Sequence, residues 1–312
     1  MRLSRRRTSG GRRPRWDHAM LQTFIQIVLV GLAVGAAYSL VALGYTLIWN
    51  AVSLVNFAQG DLVMLGAFVS VGWLANRLGM PLWLNLVTML VILGFFGAGL
   101  AWGIYHPLRN APQLSAIVAT LGLSMALQNI AVIIWGPQPL NFAGPLGTTS
   151  VHLFGSTIYA QYLVILAALA AMMAIQHMLF QHTALGRAMR ATAQDAEAAR
   201  LMGIPTARII AFIFAYATML AALAGWLIAP LSYVSSDMGV NLSLRAFAAT
   251  ILGGFGSIPG ALVGGLAFGV IESAGSFYIS SEYIDVIAFG VLIAVLMFRP
   301  QGIFGELELE RP

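Results

Sequence analysis

The sequence predicts an all-α polytopic membrane protein of about eight to ten transmembrane helices, with a broken helix in its first half. Three observations carry this. Of the 312 residues, 59% are hydrophobic and 9% charged, and the mean hydropathy is +0.85. A soluble domain carries about 25% charge, and a water-soluble fold of this size cannot hide so much apolar surface. Apolar stretches recur along the whole chain with short polar breaks, and one of them is interrupted near residue 56 by a polar run.

Taken in order, the apolar stretches lie near 21–39, 40–56, 57–75, 83–105, 114–135, 160–181, 207–230, 242–259, 260–279 and 284–298. Several are shorter than the roughly 20 residues that cross the hydrocarbon. Seven of the 16 Arg fall in the first 15 residues, and removing 1–19 leaves nine Arg against ten acids, a net of −1. The apolar run that follows is too long for a secretory signal core, so 1–19 reads as a basic, disordered cytoplasmic anchor rather than a leader or a nucleic-acid arm. Met20 serves equally well as a start. By the positive-inside rule, 183–208 (Arg187, Arg190, Arg200, Arg208) is cytoplasmic too. Two ends on one side require an even number of crossings between them, and hydropathy gives five. Three crossings within 21–75 restore the parity, which places both termini in the cytoplasm. A single transmembrane domain then spans 20–305, with a tail over 306–312.

Composition excludes several chemistries. All 16 basic residues are Arg, so no GxxxxGK[ST] phosphate loop and no lysine Schiff base exists. Cys is absent, and the five His show no metal-ligand spacing. No catalytic constellation and no metal site are read, so an enzyme is not expected. If a P-loop drives this protein, ATP and Mg²⁺ belong to a partner chain, and none on this one.

Three polar patterns remain. In Val55–Asp61, Asn56, Gln59 and Asp61 sit inside an apolar run. Intramembrane polar groups line a translocation pathway or cap a helix start, and a broken helix allows both. Glu272, also within a span, reads as a pathway group or as the partner of an Arg. The run Gly253-Gly254-Phe255-Gly256-Ser257-Ile258-Pro259-Gly260 is helix-packing and turn chemistry rather than a nucleotide loop, since it has no Lys. The third is the alanine-rich segment 183–206. Leu185, Ala188, Met189, Thr192, Ala196 and Ala199 fall at helical spacing, a small face suited to a cleft, with Arg187, Arg190 and Glu197 on other faces. Gly203 before Pro205 is a helix stop.

Here the sequence resembles a known family. Glu197-Ala198-Ala199-x₃-Gly203, with Ile213 nine residues beyond Ile204, is similar to the EAA loop of ABC-importer permeases. The usual I-x-L-P ending is replaced by Ile213-Phe214-Ala215-Tyr216, a departure that the branched-chain amino acid permeases tolerate. Gly44-Tyr45-Thr46-Leu47-Ile48-Trp49, the Val55–Asp61 run, Ile251–Gly260 and Phe298-Arg299-Pro300-Gln301-Gly302-Ile303-Phe304-Gly305 resemble that branch in order. The size resembles the shorter of its two permeases.

The resemblance implies a bacterial inner-membrane importer of branched-chain amino acids. A periplasmic or extracellular binding protein would deliver cargo to a heterodimer of related permeases, driven by two ATPase subunits, with no nucleic acid involved. Gly186, Arg187, Arg190, Glu197, Ala198, Ala199 and Gly203 would couple ATPase closure to the flanking spans. Other cargoes (urea, amides, other small solutes) and an ion-coupled secondary transporter are the competing readings.

Overall fold

The computed structural model describes residues 15–109, 111–142, 144, 146, 149–153, 156–299 and 301–305. Residues 1–14 of the expected basic tail and the tail 306–312 lie outside them, and Arg15 already opens the first helix. Among the described residues the apolar helices are α1 (Arg15–Val52), α2 (Gln59–Ala75), α3 (Leu82–Leu108) and α4 (Gln113–Trp135) in the first half. An antiparallel hairpin follows, β1 (Ser150–Leu153) with β2 (Ser156–Tyr159), in which Ser150 pairs with Tyr159. Then come α5 (Ala160–His182), two short helices α6 (Ala184–Gln194) and α7 (Ala196–Leu201), α8 (Thr206–Ile228), α9 (Met238–Gly253), α10 (Ile258–Tyr278) and α11 (Ile284–Phe298). Six of these are long and apolar enough to span a bilayer, and α2, α9 and α11 are shorter apolar helices.

The bundle has two distinct ends. Gln26 of α1 reaches the Thr157 carbonyl in the hairpin, and α4 ends in the same region, where Leu140 and Val234 exchange backbone hydrogen bonds of 2.9 Å. At the other end Asn50 donates to the Gly256 carbonyl (2.8 Å), and α1, α5 and α6 enclose a shared cavity lined by Leu47, Met173 and Met189. The second end carries Arg109, Arg187, Arg190, Arg200, Arg208 and Arg299, and is here termed the basic end.

This arrangement corrects two expectations. Residues 21–75 do not hold three crossings. Residues 21–52 belong to one unbroken 38-residue helix, about 57 Å long at 1.5 Å per residue, far more than the hydrocarbon needs. The excess length that suggested two spans is one overlong helix. Five apolar helices therefore precede α6, the number that hydropathy gave directly. The start of α1 lies at the hairpin end, whereas the C-terminal residues 302–305 pack at the basic end on Gly254. The two ends of the described chain are thus on opposite sides, contrary to the expectation of both termini in the cytoplasm.

Small residues fix the core. Lipid gives helices no hydrophobic reason to associate, so close backbone approach through Gly and Ala carries the packing. Along the α1–α10 seam, a Cβ at Gly35 would meet Leu266 Cα at 2.9 Å, and Ser39 Oγ lies 2.9 Å from the Leu262 carbonyl. α8 runs through the centre beside α1 and α2, whereas α4 and α5 lie outermost.

Candidate functional site

The polar run after α1 forms a re-entrant turn. Ser53 adopts a left-handed φ of 51°, which turns the chain back into the bundle. Asn56 Oδ1 then accepts from Ala58 N (3.2 Å), satisfying one of the free N–H groups at the start of α2. The first ten residues of α2 are all buried, so this helix begins inside the protein. The break expected in the first half is thus the turn between α1 and α2, and α1 itself is continuous.

Each polar side chain there has a definite role. Gln59 Nε2 donates to the Ala217 carbonyl of α8 (3.0 Å), and its Oε1 has no partner among the described residues. Asp61, in the first turn of α2 at the positive end of its dipole, accepts from Gln128 Nε2 of α4 (3.0 Å). Gln128 also lies 3.1 Å from Ser124 Oγ. Asp61 is thus 1% exposed and tied to an outer helix, rather than facing an open channel.

The start of α9 meets the start of α2. The backbones of Gly60 and Gly239 touch so closely that a Cβ at either would strike the other residue's carbonyl. Tyr45 Oη and Ser243 Oγ lie 2.5 Å apart beside this contact. Towards the basic end the space is aromatic: Phe247 lies against Tyr45, Phe57 and Phe255 at ring separations of 5.7–6.0 Å, and Trp49 closes on Phe255. The outer face of α9 exposes Asp237 at its cap, then Val240, Asn241 and Leu244.

Glu272 does not join Asn56, Gln59 and Asp61. It pairs with Arg245 of α9 (2.5 Å), which also bonds Asp285 (2.9 Å) and approaches Tyr38 Oη (3.3 Å). The glycine-rich run divides as its residues require. Gly253 ends α9 against the Gly260 backbone, and Gly254 (φ 108°) and Gly256 turn the chain. Pro259 occupies the first turn of α10, where its missing N–H costs nothing. Ile303 N and Phe304 N bond the Leu252 and Gly253 carbonyls (2.9 and 2.8 Å), capping α9 with the C-terminal strand of chain.

At the basic end the segment 183–206 is an elbow of two helices rather than one. Thr183 Oγ1 caps α6 by accepting from Gly186 N (3.0 Å), and Gly186 is small because Leu179 and Phe180 press on it. Asp195 interrupts the helix and restarts it, its Oδ1 accepting from Glu197 N and Ala198 N at 2.9 Å each, a cap worth about 1 kcal/mol. α7 closes with Gly203 N to Arg200 O and Ile204 N to Ala199 O (both 3.0 Å), and Gly203 takes the left-handed φ of 84° that this closure demands.

The small face expected to enter a partner's cleft is divided, with Ala188 half-buried between inward and outward members. Gly186, Met189, Thr192 and Ala199 are buried on this chain's own bundle, while Leu185 and Ala196 are exposed. Arg190 anchors α6 by donating to the Phe180 carbonyl, whereas Arg187, Glu197 and Ala198 face outward. The tip presents Leu201 and Met202, 82% and 84% exposed. Sequence reasoning missed these two, and also Gln128, Arg245, Tyr38 and Asp285. Arg245 carried a readable signal, a lone cation inside an apolar stretch.

The chain matches known proteins over most of its length. Residues 27–296 match the family model described as branched-chain amino acid transport system / permease component. The high-affinity branched-chain amino acid transport system permease protein LivH of Salmonella typhimurium is 36% identical over 303 residues, covering 92% of this chain and 97% of LivH. BraD of Pseudomonas aeruginosa, with the same description, is 34% identical and covers 92% and 98%. The autoinducer 2 import system permease protein LsrC of Yersinia enterocolitica is 30% identical, covering 89% and 75%. No solved structure matches the chain.

Proposed function

Because the chain belongs to the family of branched-chain amino acid transport permease components, a transport component rather than an enzyme, we propose that it is the membrane path of an ATP-driven importer of branched-chain amino acids. The observation that carries the mechanism is the elbow α6–α7. It joins the ends of α5 and α8 at the basic end, is capped at each joint, and projects an exposed apolar tip. A rigid elbow fixed to the central helix can pass a push from a docked ATPase into the core. The Arg excess at this end supports a cytoplasmic placement there, with the hairpin end facing a substrate-binding protein.

A second, related permease would cover the polar-edged outer face of α9, because Asp237 and Asn241 are poor neighbours for lipid. The cargo would pass between the two chains near the touching starts of α2 and α9. Branched aliphatic side chains suit the aromatic wall around Phe247, and because the ring partners of Phe247 among the described residues carry no charge, selection would rest with the binding protein. Alternating access would open this contact from one side and then the other.

The test is leucine uptake into proteoliposomes holding this chain with its second permease, ATPases and binding protein. The reading requires uptake that depends on internal ATP and persists after ionophores collapse all ion gradients. Uptake that follows an ion gradient without ATP would replace it with secondary transport. LsrC carries the name of an autoinducer 2 import system, so autoinducer 2 belongs in the same assay as a competing cargo.

A further inference from the structure

Between α1, α10 and α11, towards the hairpin end, lies a crevice of about 540 Å³ that the import path does not use. One guanidinium, Arg245, serves two carboxylates there, Glu272 and Asp285. Glu272 lines the crevice with its side chain 8% exposed. Its Oε1 takes the Arg245 bond, and its Oε2 has no hydrogen-bond partner among the described residues. A buried carboxylate oxygen left unmet costs more than an ordinary missing hydrogen bond.

Hydroxyls and an amide make up the remaining polar lining. Ser273 spends its proton on the Ile27 carbonyl (3.0 Å), which leaves the hydroxyl oxygen as an acceptor. Gln26 Nε2 gives one of its two N–H groups to the Thr157 carbonyl (3.4 Å), which leaves Oε1 as an acceptor and the other N–H beside it. Ser276 adds a hydroxyl that can donate or accept, so the group of the crevice that stands out is the Glu272 carboxylate, with an unmet oxygen and surplus negative charge beside it. Val30, Val34 and Phe277 supply apolar walls next to it.

We propose that this crevice binds a primary ammonium group on an aliphatic body, with the ammonium seated against Glu272. Such a group brings N–H donors and one positive charge to the unmet carboxylate, and its body matches the walls. The same chemistry is offered by a phosphatidylethanolamine headgroup and by a free amine or amino acid. Binding here does not depend on the import cycle.

The purified full chain is titrated in detergent with n-butylammonium chloride, and in parallel with tetramethylammonium chloride at the same ionic strength. The two cations differ in N–H donors. A saturable rise in the unfolding midpoint is expected with butylammonium alone, with an apparent affinity about tenfold weaker in Glu272→Gln. That variant keeps an oxygen for Arg245. Ser276→Val, which alters the lining without touching the ion pairs, is expected to weaken binding to a smaller degree and serves if Glu272→Gln does not fold.

Equal shifts with both cations, or no shift with either, overturn the proposal. So does a Glu272→Gln protein that responds as the native one does. Two further arms assign the source. A rise in phosphatidylethanolamine nanodiscs over phosphatidylcholine nanodiscs makes the ligand a lipid, and a rise with L-leucine makes it the amino acid.

Discussion

α8 and α4 are equally apolar, each with a mean hydropathy of 2.0 over its best window, yet 89% of that window is buried in α8 and 17% in α4. Hydropathy records that both helices avoid water. It does not record whether protein or lipid replaces the water. What separates them is the size of side chains along their faces. α8 brings Ala217, Ala221, Ala222, Ala224 and Gly225 against its neighbours, while α4 turns Leu114, Val118, Met125 and Ile133 outward. The inner helix is built for backbone approach and the outer one for a fluid solvent.

The largest effect is expected where approach is closest. In α8, a Cβ at Gly225 would land on the Val63 carbonyl of α2, so Gly225→Val should destabilise the fold by about 3 kcal/mol. Yield of monodisperse protein by fluorescence-detected size exclusion and its unfolding midpoint would show it. A smaller effect is expected where the outer helix makes its polar contact with the core. Gln128→Leu leaves Asp61 Oδ1 without its donor, and a loss of about 1–2 kcal/mol in thermal stability should follow. The companion Asp61→Asn, which keeps an acceptor, should recover part of it. The smallest effect belongs to the lipid-facing side: a Cβ at Gly122 meets nothing within 4 Å, so Gly122→Val should stay within about 0.5 kcal/mol of native. A large penalty at Gly122 would mean that α4 is covered by another protein chain.

Much of the helix content was legible because each span announces itself by length and composition. Continuity was not. Residues 21–56 held enough apolar length for two spans, and only the absence of any backbone break before Ser53 makes them one. The expected topology departs from the structure for a related reason: hydropathy gives five helices before α6, and the Arg-rich first 15 residues argue for an even number. Asn56, Gln59 and Asp61 were visible as polar groups that an apolar run has no cause to carry. Gln128 was not, since a lone amide on an outer helix looks like any surface residue until its partner is placed. In the elbow, alanine spacing revealed a face but not which way it points. Leu201 and Met202 passed as a helix end because their meaning lies in exposure.

The elbow is also where inner and outer parts of the account meet, for it fastens the exposed tip to the buried α8. The most direct measurement pairs leucine uptake with ATP hydrolysis in the reconstituted importer for three proteins: native, Leu201→Glu with Met202→Glu, and Gly203→Val. The charged tip should abolish ATPase co-purification and, with it, uptake. Gly203→Val, which strains a left-handed residue with open space around it, should retain ATPase binding and hydrolysis while uptake falls about tenfold or more. Native uptake in both variants would contradict the claim that this elbow carries the stroke.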